Sequence, residues 1–197
     1  MQADFNPVAK VSGAPVTPFI YEISNYHVLV CGTNGIPPGT PPGPLVDKIR
    51  SETPAAVQVV DSDYVFGVQH ARGICAVAIE AKKRGVMISK RLETEVLIRL
   101  ALTAQISEAI TRLGIKPGKP ACFIAISSDG KEILKFGQRL ASEELGGGVD
   151  NSSLAPSPRK MLAIISLHGW KKKQGGDIFT VKCFGDFMCE RAAIMVR

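Results

Sequence analysis

Long apolar runs, paired cysteines and the short signatures of catalysis are what this sequence lacks. It has no run of about 18 consecutive apolar residues, so no membrane-spanning helix is expected. The five cysteines, Cys31, Cys75, Cys122, Cys183 and Cys189, are odd in number and form no Cys-x-x-Cys. That argues against a disulfide scaffold or a zinc ribbon and predicts small buried thiols. The three histidines, His27, His70 and His168, lack metal-ligand spacing, so no metal site is expected. His168 reads as a charge at the negative end of a helix. No Gly-x-Ser-x-Gly elbow occurs. Gly114 to Lys119 is one residue short of a phosphate loop, lacks Ser or Thr after the lysine, and follows a helix where a strand is needed. Nothing assembles a nucleophile, base and oxyanion donors, so no catalytic residue and no cofactor are expected. The first 18 residues lack the charged-then-apolar layout of a secretion signal. They read as a flexible leader to a domain spanning 19–197, and the location predicted is cytoplasmic.

What is present suits a packed domain: 197 residues, 45% apolar and 21% charged. The formal charge of +6 is compatible with a nucleic-acid partner without requiring one.

Leu92–Gly114 organises the chain. Leu97, Leu100, Ala101 and Ala104 share one helical face, and Ile106, Ala109, Ile110 and Leu113 share another. At about 100° per residue these faces oppose each other in a continuous helix. A break near Leu102–Gln105 resolves the conflict, with Thr103 as N-cap of the second helix. Gly114 then supplies a left-handed stop, with Ile115 folding back on Ile110, and Pro117 prevents resumption.

Phe19–Gly32 reads as a hairpin turning at Ser24-Asn25. Ile36–Pro44 is a Pro/Gly loop, Leu45–Ser51 a short helix and Val57–Val60 a strand. Asp61–Gly85 reads as the longest helix, capped by Asp61 or Asp63 and stopped by Gly85. Gly67 and Gly73 within it predict close approach of another backbone. Ala121–Ser127 is apolar on both faces, as a central strand would be. Gly130–Leu145 is weakly helical, and Gly146–Pro158 reads as a flexible linker. Ser157 and Pro158 look like N-cap and N1 of a helix through His168, closed by Gly169. That helix carries apolar residues on most sides, which predicts burial or an interface. Ile178–Phe184 reads as a returning strand, and Asp186 as the cap of a last helix. Strands and helices do not alternate, so the fold class expected is α+β: one domain, a small, mostly antiparallel sheet against a cluster of helices.

Two charge patterns stand out. Lys82, Lys83, Arg84, Lys90 and Arg91 fall within ten residues, with no acid among them. Lys171–Lys173 beside Trp170 is the competing basic cluster, where an aromatic ring could stack a base. Glu93 and Glu95 precede Arg99 and predict at best one i, i+4 pair worth a few tenths of a kcal/mol. The long helix and the last helix carry more apolar residues than one core-facing stripe needs. Val65, Val77, Phe187 and Met188 are the surplus and the candidate partner-binding residues.

The order Glu95, then Gln105-Ile106, Glu108-Ala109 and Gly114-Ile115, then Glu190-Arg191-Ala192-Ala193-Ile194, resembles the kinase-binding subunit of the KEOPS complex, the TPRKB-like proteins. The similarity runs from about Phe19 to the end and points to an archaeal-type member. Members usually carry a polar or Gly-containing break, often with Arg or Asn before the glutamine; here Leu102 and Ala104 stand there. The resemblance implies a single α+β domain and a non-catalytic regulatory subunit. It implies as partners the small atypical kinase/ATPase of KEOPS and the tRNA acceptor end with its CCA tail, in threonylcarbamoyladenosine modification. The five basic residues from Lys82 to Arg91 are the tRNA-binding candidates. The alternative reading is a small enzyme or small-ligand-binding α+β domain whose site assembles only in the fold.

Overall fold

The computed structural model describes residues 17–142, 148–170, 181 and 183–195. Strand β1 (Phe19–Ile23) turns at Ser24-Asn25 into β2 (Tyr26–Thr33), as the hairpin pattern predicts. Helix α1 (Pro42–Ser51) leads to β3 (Ala56–Asp61). Helices α2 (Val68–Lys83), α3 (Leu92–Leu100) and α4 (Ile106–Leu113) precede β4 (Ala121–Ser127). Helices α5 (Gly130–Ala141), α6 (Pro158–Leu167) and α7 (Phe184–Ala193) follow. The four strands form one antiparallel sheet in the order β1-β2-β4-β3. The α+β class is therefore the observed one.

Both faces of the sheet are covered, which is why β4 is apolar at every position from Ala121 to Ile126. Cys122, Ile124 and Ile126 join Val28, Val30 and Val60 on the face packed by α2, α3 and α4. Phe123 and Ala125 join Leu29, Cys31, Val57 and Val59 on the other face, under α1 and α5. A third cluster, Phe66, Ile164, Phe184 and Met188, ties α6 and α7 to the start of α2.

The break between α3 and α4 forms where the two apolar faces conflict, but its capping differs from expectation. Leu102 takes the left-handed position at φ 47. The Thr103 N–H then reaches back to the Ile98 carbonyl at 3.1 Å, which closes α3 in a Schellman arrangement. Thr103 lies two residues before the N-cap, which is Gln105; its hydroxyl accepts the Gln105 N–H at 3.2 Å, as expected of a residue opening the helix, and donates to Glu108. Gly114 is extended (φ −58, ψ 143), not left-handed. Its glycine is required because a Cβ would lie 2.5 Å from the Ile110 carbonyl oxygen. Ile115 is buried in the core under α1, while Ile110 is 55% exposed and lines the same cavity wall.

Other corrections follow from the same close reading. Helix α2 starts at Val68, because Ser62–Tyr64 forms a separate 3-10 turn capped by Asp61, and Gly67 sits at φ 90. Gly73 does allow a close approach: its Cβ would meet the Cys189 sulfur at 2.4 Å. Gly85 ends α2 at φ 67, with Val86 N–H on the Ala81 carbonyl at 2.9 Å. From residue 148 onward the expected linker is fastened down: Asn151 accepts from Gly32 N–H at 2.9 Å, and Leu154 is buried. Ser157 and Pro158 open α6 as expected, yet only Lys160 and Ile164 of that helix are buried. Residues 171–180 and 182 of the expected C-terminal strand and basic cluster lie outside the described residues. Phe184 begins a helix, not the end of a strand, and Asp186 lies in its first turn instead of at the cap.

Candidate functional site

Among the described residues, three of the surface depressions take in sequence candidates or adjoin them, and the candidates distribute unevenly among these. The first is a groove of about 800 Å³ between the C-terminal half of α2 and the end of α7. Ala76, Val77, Ala81, Val86, Met87, Ala193 and Met195 give it apolar walls. Val86 at its edge is 60% exposed, and Ile194, between two lining residues, is 66% exposed.

A buried ion pair lies at the groove, with Arg99 in its lining. Arg99 and Glu95 face each other across one helical turn at 2.8 Å, with side chains 3% and 0% exposed. Arg99 also donates to the Ala192 carbonyl at 2.5 Å, and the other Glu95 oxygen accepts from Ser89 N–H at 2.8 Å. One pair thus fixes the end of α7 and the loop after α2 to the same point on α3. The one i, i+4 pair expected here forms, but it is buried and hydrogen-bonded to two further segments, so the few tenths of a kcal/mol typical of exposed helix pairs do not apply to it.

The four apolar candidates separate. Val77 lines the groove and is half-buried. Phe187 is half-buried elsewhere, with its ring edge against Trp170 at 5.3 Å. Val65 is fully buried and Met188 is 1% exposed, so both are core residues and cannot serve as surface anchors. Neither belongs to a surplus face: Val65 precedes α2, and Met188 plugs the cluster between α2 and α6.

All five basic candidates are exposed, at the end of α2 and in the loop that follows. Acids from just outside the run reach three of them. Glu80 pairs with Arg84 at 2.6 Å and with Lys83 at 3.5 Å, and Glu93 pairs with Arg91. The Arg84 hydrogen bond, then the neighbouring positive charges, hold the Glu80 carboxyl below its usual range. The Lys82 ammonium lies 5.2 Å from the centre of the Tyr26 ring. Lys90 has no ion pair among the described residues.

The second depression, about 410 Å³, opens at the end of the sheet between β3 and β4 and is lined by Lys82, Arg91, Glu93 and Arg50. The third, about 480 Å³, lies between α1 and α4, with Ile106, Ile110 and Ile115 on its wall. Arg50 lines both, so the cavity beside the end of α2 and the one along α4 share a residue. No sequence signal marks these two cavities. Each is assembled from four or more separate segments, which periodicity and spacing do not relate.

The histidines are structural in their contacts. His70 accepts the Phe66 N–H at 3.0 Å through Nδ1, and burial, then Lys160, pushes its pKa down to about 4. His168 stacks on Trp170 at 4.6 Å, and burial, then Arg112, lowers it to about 4. It is therefore neutral at pH 7, contrary to the expected helix-end charge. Cys31, Cys75 and Cys122 are buried as expected, which raises their thiols. Cys183, by contrast, is exposed. Among the described residues no group of three or more His, Cys, Asp or Glu could hold a metal ion. None of the described helices is long and apolar enough to cross a membrane.

An α+β domain with a mostly apolar groove that a buried ion pair adjoins, and a basic rim beside it, defines a protein organised around binding surfaces. Residues 42–153 match the family described as kinase binding protein CGI-121, and the chain belongs to that family. A comparison with individually curated proteins gave no match.

Proposed function

We propose that the chain is a non-catalytic regulatory subunit that binds a small atypical kinase/ATPase through the groove between α2 and α7. Membership of a kinase-binding family carries this reading. The groove supports it because exposed Val86 and Ile194 flank a lining that is mostly apolar, with Glu80, Arg84 and Arg99 as its charged members, and interface energy concentrates in such a few anchors. Val77→Glu and Ile194→Asp place charges in or beside the groove without removing core volume. Each should abolish co-purification with the kinase while the melting temperature stays within a few degrees of wild type. Full binding by both folded variants would reject this surface. Purified protein should hydrolyse no ATP by itself, and turnover surviving removal of the kinase would reject the non-catalytic role.

The partner kinase is that of KEOPS, and the second ligand is the acceptor end of tRNA, in threonylcarbamoyladenosine modification. The family resemblance supplies both identities. The exposed basic run from Lys82 to Arg91 suits phosphate contacts. The apolar wall at Ile106 and Ile110, in the cavity that Arg50 also lines, suits an unstacked base of the CCA tail. Lys83→Glu with Arg84→Glu should weaken tRNA binding and reduce its salt slope by roughly one to two units. Removing the CCA tail should cost further affinity. Unchanged affinity in both experiments would remove tRNA from this face. The same reading places the protein in the cytoplasm.

A further inference from the structure

The polar cavity at the end of the sheet is built unlike the two apolar grooves. Arg50 enters it from the last turn of α1, Lys82 from the last turn of α2, and Arg91 and Glu93 from the start of α3. Arg50 is held in place by two bonds: Nε donates to the Val57 carbonyl at 3.0 Å and Nη2 to Gln58 Oε1 at 2.8 Å. Its remaining N–H groups have no partner among the described residues. Glu93 is the one acid in the lining; it is 6% exposed and reached by Arg91, and its Oε1 makes no aligned hydrogen bond. Arg50 lies within electrostatic reach of both Glu93 and Arg91. The lining thus holds two guanidiniums and one ammonium against one carboxylate, and although Asp47 also attracts Arg50 from outside the lining, the cavity keeps an excess of positive charge. Ser127 and Ser128 add polar groups on the β4 side, and Pro54, Leu92 and Ile126 add apolar wall.

We propose that this cavity binds a phosphate monoester of about the size of a mononucleotide or sugar phosphate. A guanidinium with a fixed plane and free N–H groups suits the oxygens of a phosphate. A volume of about 410 Å³ lies within the range of small-ligand sites. The apolar wall suits the carbon portion of the ligand. Glu93 acts as an internal stand-in: it partners Arg91 and yields that partner when the phosphate enters. The site shares Lys82 and Arg91 with the tRNA reading but stands without it.

The test is a titration of the full chain with AMP and with inorganic phosphate, followed by calorimetry and by backbone amide NMR. AMP should saturate, moving the amides of Tyr26, Leu92 and Ser128. Lys82→Gln, an exposed change that leaves the fold intact, should weaken AMP about threefold, and Arg50→Gln by about tenfold or more. Glu93→Gln should tighten binding several-fold, because it removes the competing carboxylate; a network with only a structural role would not show this gain. If Arg50→Gln unfolds, the Lys82 and Glu93 variants still decide the matter. No saturation by ~10 mM AMP overturns the proposal. So does wild-type affinity in both of those variants. A short RNA lacking terminal phosphates that moves the same amides, when AMP does not, would assign the cavity to phosphodiesters and also overturn it. Lys83→Glu with Arg84→Glu should leave AMP affinity unchanged. An intact AMP response beside unaltered tRNA binding in that variant would remove the tRNA reading and keep this one.

Discussion

Two i, i+4 ion pairs fifteen residues apart in this chain use the same chemistry to opposite ends. Glu80 and Arg84 meet at 2.6 Å on the exposed last turn of α2. Glu95 and Arg99 meet at 2.8 Å inside α3, where neither side chain exceeds 3% exposure. The first is bathed in water and salt, so its attraction is screened and its partners remain available to a polyanion. The second lies in a dry site, and each of its partners also binds backbone of another segment. Removing one member there strands a charge. Burial, not charge count, separates an exposed pair from one that ties three segments together.

The sharpest way to break this contrast is Arg99→Met. It should cost about 3–5 kcal/mol, read by denaturant titration, because Glu95 is left charged and unpaired in the interior. The double change with Glu95→Gln should recover part of that loss. A single variant as stable as wild type would show that the pair is not desolvated in solution.

The next effect in size separates buried from exposed titration. His70 falls from an ordinary 6.5 to about 4 because burial penalises its charged form. Between those values the unfolded chain binds a proton that the folded chain refuses. Stability is therefore complete above pH 6.5 and declines as pH falls toward 4, by up to about 3 kcal/mol. His70→Asn retains a short acceptor for the Phe66 N–H and should flatten that decline. An unchanged pH profile in the variant would assign the acid sensitivity to other groups.

The smallest effects belong to the rim and the break. Glu80→Gln should leave the denaturation midpoint within error, since its partner is merely released to water. Leu102→Gly relieves a left-handed leucine worth roughly 1 kcal/mol but forfeits its packing, so the net change should be within about 1 kcal/mol of zero. A large loss would show that the leucine side chain, which touches both the main core and the cluster under α6, outweighs its backbone cost.

Much of the fold was legible because it is local. Opposed apolar faces betrayed the break at Leu102–Gln105, two-faced apolarity marked β4, and Ser157-Pro158 marked the start of α6. The misreadings have local causes too. Asp61 offered a good cap, and it caps a 3-10 turn that Gly67 separates from α2. Met188 counted as surplus only because the neighbour that buries it, α6, could not be placed from sequence. The acids flanking the basic run were visible, but their reach back onto Lys83, Arg84 and Arg91 was not. The groove and the two cavities are convergences of distant segments, and Arg50 shows the difficulty. Its role depends on Glu93 and Lys82, which reach it through the tertiary fold alone.

The strand order bears on how the chain is made. Strands β2 and β3 never touch; β4 lies between them, pairing His27 with Ser127 on one side and Ala56 with Ile126 on the other. During synthesis the hairpin and β3 leave the ribosome long before the strand that joins them. Until β4 emerges, both present apolar, unpaired edges, and the sheet cannot close. Long-range pairing of this kind slows folding and exposes the nascent chain to aggregation. A ribosome-stalled fragment ending before Ala121 should therefore stay protease-sensitive along its whole length, and become resistant in one step once β4 has cleared the exit tunnel.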